Sequence, residues 1–395
     1  MLAYHVLVLT VLVLCLLGVL ANLACFDGLV PAPPPADAPL VSILVPARNE
    51  ARNITPCVAS LLAQDYPRTE LIVLDDHSDD STGELVRELG VRETGTRHRL
   101  LRGEPLPAGW VGKNWACHQL SRAAQGEWLF FTDADTEHAP GTISAAVAYA
   151  QRHRASLLSA WPRLVTETWS EKLVIPLIVV MAMIFPAHAL ITRLQRRPAA
   201  TARVPAWWRR MLGAANGQFI FFSRAAYMRI GGHEAVRDHL VEDVALGRAV
   251  AARIGEGLRL CNCHALDFST CRMYRSRAEV WEGFTKNVWA IFEGSHASFV
   301  AAGILQTCCV LGPFIALLIP HSTKHFVFPE IALVLAIRAL VAWRFRTSWF
   351  GVIFHPVGLA LALAIGANSW RRLHGRGVQW KGRTYVGGET PPPVG

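Results

Sequence analysis

The sequence predicts an α/β fold, a doubly wound and mostly parallel sheet, with transmembrane helices before and after it. Three observations carry that prediction. Between residues 40 and 135, short apolar strand-like runs alternate with helix-length segments, the pattern of parallel strands joined by crossovers. Each of those runs closes in polar or acidic residues, which sets the acids along one edge of the sheet, where open α/β sheets hold their ligands. Long apolar stretches lie at both ends of the chain, around a middle of ordinary soluble composition.

The first element is the apolar run 6–24, long enough to span a bilayer. A cleaved signal peptide is the competing reading. No basic residue precedes the run, however, and Pro31-Ala32-Pro33-Pro34-Pro35 follows as a stiff spacer, so a retained anchor is expected. Leu40-Val41-Ser42-Ile43-Leu44-Val45-Pro46 then reads as a buried strand, and Ala47-Arg48-Asn49-Glu50 as a loop into a helix reaching about Gln64. Glu70-Leu71-Ile72-Val73-Leu74 is a second strand, closing in Asp75-Asp76-His77-Ser78-Asp79-Asp80, with a helix over 82–89. Gly109-Trp110-Val111-Gly112-Lys113-Asn114-Trp115 is a glycine-containing loop that opens a helix ending near Gly126. Trp128-Leu129-Phe130-Phe131 is a third strand, spilling into Asp133-Ala134-Asp135. No Gly-x-Gly-x-x-Gly, the glycine fingerprint of a dinucleotide fold, follows the first strand, and no P-loop is present. Residues 217–222 are strand-like, and Glu242-Asp243 opens a helix where the dipole favours anions. There is no internal repeat.

The apolar stretches 299–319, 326–341 and 352–367 read as membrane helices or re-entrant pieces. The expected organisation is an anchor at 1–26, a Pro-rich linker at 27–39, a domain at 40–295 carrying an interfacial segment at 171–210, membrane helices at 296–370 and a tail at 371–395. The 395 residues carry a net charge of +9, which raises nucleic acid as a partner. The basic residues argue against it: Arg193, Arg196, Arg197, Arg203, Arg209 and Arg210 surround Trp207-Trp208 just after an apolar stretch, the composition of a membrane surface contact. The nine cysteines include Cys261-x-Cys263 with His264 and Cys271, but the spacing is not that of a zinc pair, and buried free thiols are expected.

Asp133-x-Asp135 offers hard oxygen donors of the kind that hold Mg²⁺ or Mn²⁺ together with substrate phosphates. A plain turn after the strand is the alternative, since Asp is a common turn residue. The same alternative stands for Asp75-Asp76, and helix capping for Glu242-Asp243. Lys113 is either a phosphate contact or a solvated surface lysine.

These pieces, in this order, resemble a family 2 glycosyltransferase of the GT-A fold. The matching motifs are Val41-x-Ile43-x-Val45-Pro46-Ala47-x-Asn49-Glu50, Val73-x-Asp75-Asp76-x-Ser78-x-Asp80, Asp133-x-Asp135 and Glu242-Asp243. Gly109 to Trp115, Arg272-Met273-Tyr274-Arg275-Ser276 and Trp380-Lys381-Gly382-Arg383-Thr384-Tyr385 look more finely like the hopanoid-associated glycosyltransferases of bacteria, with carotenoid and ceramide enzymes also similar. The resemblance implies a nucleotide-sugar donor, a UDP-sugar, and a lipid acceptor such as a hopanoid. It implies that Pro46, Ala47, Arg48 and Glu50 wall the nucleoside pocket, that Asp75 and Asp76 accept from base or ribose, and that Asp133 and Asp135 bind the divalent ion on the diphosphate. Asp243 is then the general base of an inverting displacement, with Glu242 orienting it. Arg272 and Arg275, three apart, are expected to share a helical face toward the diphosphate or a lipid head group. They stand where many relatives carry Gln-x-x-Arg-Trp, and that departure weighs against a processive polysaccharide synthase. A catalytically silent scaffold has no need of acids at every strand end.

The motifs flank the apolar stretch 173–191 on both sides, so that stretch cannot cross the bilayer without splitting one site between two compartments. An interfacial segment is expected, and the positive-inside rule places the domain on the cytoplasmic face of a bacterial inner membrane. Whether Lys381 and Arg383 fold back on the site or rest on lipid is left open by the sequence.

Overall fold

The structure is a computed structural model describing residues 1–185, 187–320 and 323–385. Its centre is an eight-stranded sheet made of β1 (Val41–Ala47), β2 (Thr69–Asp75), β3 (His98–Arg102), β4 (Trp128–Phe131), β5 (Thr136–His138), β6 (Leu157–Leu164), β7 (Ile220–Ser223) and β8 (Leu260–Cys271). Their order is β3-β2-β1-β4-β7-β6-β8-β5. β1 runs parallel to β2 and β4, β2 to β3, and β6 to β8, whereas β7 is antiparallel to both β4 and β6, and β5 to β8. The sheet is therefore a parallel half continued by a mixed half, and β4 is the strand at which the two halves meet.

Both faces of the parallel half are covered, which is why β1 is apolar on both sides. Val41, Ile43 and Val45 pack with Ile54, Val58, Leu61 and Phe130 on one face. Leu44, Ile72 and Leu74 pack with Leu120, Phe131 and Leu246 on the other. Ser42 is the polar exception: its hydroxyl donates to Glu70 Oε1 at 2.5 Å and accepts from the Gly126 amide at 2.7 Å, so its burial leaves nothing unsatisfied.

Among the described residues, three helices are long and apolar enough to cross a membrane: Leu2–Leu23, His296–Leu318 and Lys324–Phe345. Leu2–Leu23 packs along Lys324–Phe345, and a buried pair ties their far ends, His5 Nδ1 to Glu330 Oε1 at 2.8 Å. The stretch expected to be interfacial forms Trp169–Ile184 and Ala187–Gln195, bent by 42° at the break between them. A third apolar cluster joins Val19 and Phe26, Leu173 and Val179, and Ile337 and Val341 to Trp161 and Leu164 of β6, so the sheet sits directly on the apolar helices. The run 352–367 lies within Phe350–Ile353 and His355–Leu373. The latter packs on the domain's Arg277–Asn287 helix, where Asn368 Nδ2 donates to Thr285 Oγ1 at 3.0 Å.

Two local expectations need correction. Arg272 and Arg275 share no helical face, because β8 continues to Cys271 and both arginines fall in the irregular segment before Arg277–Asn287. The strand expected from Gly217 starts at Ile220, because the Gly217 amide turns to a carboxylate instead of the ladder. Cys261 and Cys263 both lie on β8, all nine cysteines are free, and no group of three or more metal-ligating side chains occurs among the described residues.

Candidate active site

The ends of β1, β2 and β4 deliver their acids to one edge, as a parallel sheet must. The β1 and β2 loops hold each other. Asn49 takes a left-handed backbone (φ 53°) and accepts the Asp79 amide at 2.8 Å, while the Glu50 amide donates to Thr82 Oγ1 and the Ala51 amide to Asp80 Oδ2. Asp75 Oδ1 accepts from the Ser78 amide at 3.0 Å, so it serves the turn. Asp76, only 3% exposed, faces the site.

Asp76 is gripped from the other end of the chain. Residues 378–385 form a hairpin of β9 (Val378–Trp380) and β10 (Arg383–Tyr385), turned through Lys381 and Gly382, both at positive φ. Arg383 forks onto Asp76, Nη1 to Oδ2 at 2.5 Å and Nη2 to Oδ1 at 3.0 Å. Lys381 Nζ pairs with Glu50 at 3.0 Å and donates to the Asn49 carbonyl, while Arg48 Nε donates to the Lys381 carbonyl at 2.7 Å. The tail left open by the sequence thus folds back on the site. Gly112 is required here for space, since a Cβ would stand 1.8 Å from Arg383 Nη1. Gly112→Ala is expected to lift the hairpin from Asp76 and raise the donor KM with little loss of fold, as Arg383→Ala should; steady-state kinetics on both variants checks this.

Lys113 joins the other two acidic motifs. Its Nζ lies 2.6 Å from Asp133 Oδ1 and 2.7 Å from Glu242 Oε1, tying the end of β4 to the Glu242–Ala252 helix. Burial disfavours the Lys113 charge, but the two carboxylates more than offset it and hold its pKa well above the usual lysine range. Burial pushes the Glu242 carboxyl up, but the Lys113 charge and hydrogen bond, a backbone amide and the Lys286 charge together hold it below the ordinary carboxylate range. Beside them, Asp243 Oδ2 accepts the Gly217 amide at 2.7 Å, and burial followed by the Glu242 charge raises its pKa to about 6. Asp135 Oδ1 is buried without a hydrogen-bond partner among the described residues; burial, then Asp133 and Glu50, push its carboxyl up to about 7.

Pro46 and Ala47 lie at the end of β1, where they pair with Leu74 and Asp75 of β2. Arg272 Nη1 reaches Glu167 at 2.7 Å, and Arg275 Nη2 donates to Asn53 Oδ1 at 3.0 Å. With Asp135, Asn53 and Thr270 these arginines line a cavity of about 220 Å³. Lys286, absent from the expected set, sits 4.8 Å from the Trp380 ring centroid, and burial lowers its pKa to about 8. A signal for it was faint: one lysine on an otherwise ordinary helix.

Residues 42–198 match the family model described as glycosyl transferase family 2. The 4,4'-diaponeurosporenoate glycosyltransferase of Staphylococcus haemolyticus (strain JCSC1435) is 25% identical over 362 residues, covering 87% of this chain and 88% of that protein. Its namesake from Staphylococcus aureus (strain USA300) is 24% identical over 356 residues with the same coverage. Neither name refers to a hopanoid. A mannosyltransferase from Pyrobaculum calidifontis, solved in complex with GDP-Man and Mn²⁺, shares the fold with a TM-score of 0.54 at 20% identity, over 93% of this chain and 98% of that one. With the acids of its sheet edge in the order described, the chain has a GT-A-like fold, is similar over residues 42–198 to glycosyl transferase family 2, and is a glycosyltransferase.

Proposed function

We propose that the chain moves a sugar, with inversion, from a nucleoside diphosphate sugar to a lipid acceptor at a membrane surface. The observation that carries this is the Lys113 bridge, which gathers Asp133 and the Glu242-Asp243 pair into one site. In this reading Asp76 and the Arg48 loop hold the nucleoside, and Asp243 takes the proton of the acceptor hydroxyl. A carboxylate fixed by two backbone amides, with a pKa of about 6, is ionised at neutral pH yet basic enough to accept a proton.

Asp133 and Asp135 suit a divalent ion. The unpartnered, buried Asp135 Oδ1 is an oxygen donor in want of a cation, and hard carboxylates favour Mg²⁺ or Mn²⁺. Bound there, the ion would offset the charge that grows on the departing diphosphate. Around it the chain sets Lys113, Lys286, Lys381 and Arg383. Two of these four cations come from the hairpin, so its closure is part of making an acidic sheet edge receptive to a polyanion.

The membrane helices and the relatives' names support a lipid acceptor. Those names favour a polyene carboxylate; the motifs at 109–115 and 272–276 and in the tail favour a hopanoid. Membranes containing the protein, given labelled UDP-sugars or GDP-mannose with each lipid, decide between them. Loss of transfer on adding EDTA is expected, and absence of metal-dependent transfer to any lipid refutes the proposal. The pH profile tests the base. Asp243 must be ionised to act, and its pKa is raised, so turnover should fall as pH drops through about 6 and level off above it. A limb near the ordinary carboxylate value would remove Asp243 from that role.

A further inference from the structure

Arg338 lies about two turns before the end of the Lys324–Phe345 span and is fully buried, the bulkiest such side chain among the described residues. None of its three guanidinium nitrogens has a hydrogen-bond partner among the described residues. Its neighbours in sequence are all occupied: Arg344 donates to the Phe26 carbonyl and Arg346 pairs with Asp267. The guanidinium is covered by the short helix Phe350–Ile353. A Cβ on Gly351 would meet Arg338 Nη2 at 2.8 Å and the Lys172 carbonyl at 2.3 Å. His355, close enough to feel the Arg338 charge, is also buried, and its Nδ1 is likewise unpartnered.

An arginine cannot shed its proton to escape this position, and a buried charge without a partner is among the costliest arrangements in a protein. Ionisable groups inside membrane segments mark binding sites for that reason. The planar fork calls for an oxyanion. Its depth says where the oxyanion comes from. Trp343, Trp349, Phe350, Ile353 and Phe354 are exposed around this end of the span, the aromatic collar of a membrane–water interface, so the guanidinium sits just beneath the headgroup layer. We propose that Arg338 and His355 form a binding site for the phosphate of an anionic phospholipid, admitted beneath the Phe350–Ile353 helix. The site is separate from the sugar-transfer chemistry and stands whether or not the acceptor is a lipid.

The test uses the full-length protein in nanodiscs of phosphatidylcholine alone, with phosphatidylglycerol added, or with inorganic phosphate in the buffer. Wild-type Tm should rise by several degrees with phosphatidylglycerol and not with inorganic phosphate. Native mass spectrometry should show one retained phosphatidylglycerol. Arg338→Met should unfold at a higher temperature than wild type in phosphatidylcholine alone, having lost an unpaired charge, and should show neither the lipid-dependent rise nor the retained lipid. A wild-type Tm indifferent to both additives overturns the site, as does a lipid-dependent rise that survives in Arg338→Met. An equal rise with inorganic phosphate overturns the lipid source. If Arg338→Met fails to fold, the wild-type comparison still decides.

Discussion

Asp243→Asn is expected to lower kcat by about 10²- to 10⁴-fold, the usual worth of a positioned general base, with the donor KM little changed. The substitution keeps the shape and the Glu242–Ala252 helix. It removes the proton acceptor and sets an amide against one of two N–H donors, Gly217 or Val244. Single-turnover transfer and donor binding separate the two effects: a variant that binds donor normally and turns over slowly confirms the role. Full activity would move the base elsewhere. Asp243→Ala leaves the Gly217 amide without its acceptor as well, so it should also lower Tm, and the Asn variant isolates the chemistry.

Asp133→Ala and Asp135→Asn are expected to abolish detectable transfer, by different routes. Asp133→Ala takes one of two carboxylates from Lys113, leaving the ammonium on Glu242 alone and freeing the end of β4 from the Glu242–Ala252 helix. It should therefore cost both activity and thermal stability. Asp135→Asn is nearly isosteric and replaces a carboxylate whose Oδ1 has no partner among the described residues. In EDTA-treated protein it should raise Tm while turnover is lost, because the wild-type residue is held for a cation at the expense of the fold. Calorimetry beside the transfer assay checks both, and an Asp135→Asn variant that retains metal-dependent transfer would take Asp135 out of the metal site.

What the sequence made legible was local. β1, β2 and β4 are apolar runs with acids at their ends, and a parallel edge turns that one-dimensional pattern into a cluster. Glu242-Asp243 announced itself in the same way, two acids at a helix start. The mixed half of the sheet was harder. β6 contains Pro162 and Arg163, with a register shift between them, and β8 reads Cys-Asn-Cys-His, so neither has the composition of a strand. Both are strands because neighbours on either side satisfy their backbones. Of Asp75 and Asp76 the family pattern favoured Asp76, but only the fold shows that the Ser78 amide claims Asp75. The hairpin was least legible of all: Arg383 and Asp76 are 307 residues apart, and nothing near either residue specifies the other. Its Lys-Gly turn and the alternation of Val378, Trp380, Arg383 and Tyr385 were there to read as a hairpin, but they do not name its partner.

That long-range fork also has a consequence in time. The sheet, the carboxylates proposed to hold a metal and the three long apolar helices found among the described residues all precede Lys381 and Arg383 in the chain. A chain emerging from the ribosome at about 5–20 residues per second can fold and enter the bilayer while the mouth of its donor pocket still stands open and acidic. In the proposed reading competence waits for the hairpin, so a polypeptide stopped before Lys381 would reach the membrane without drawing on the cell's activated sugars.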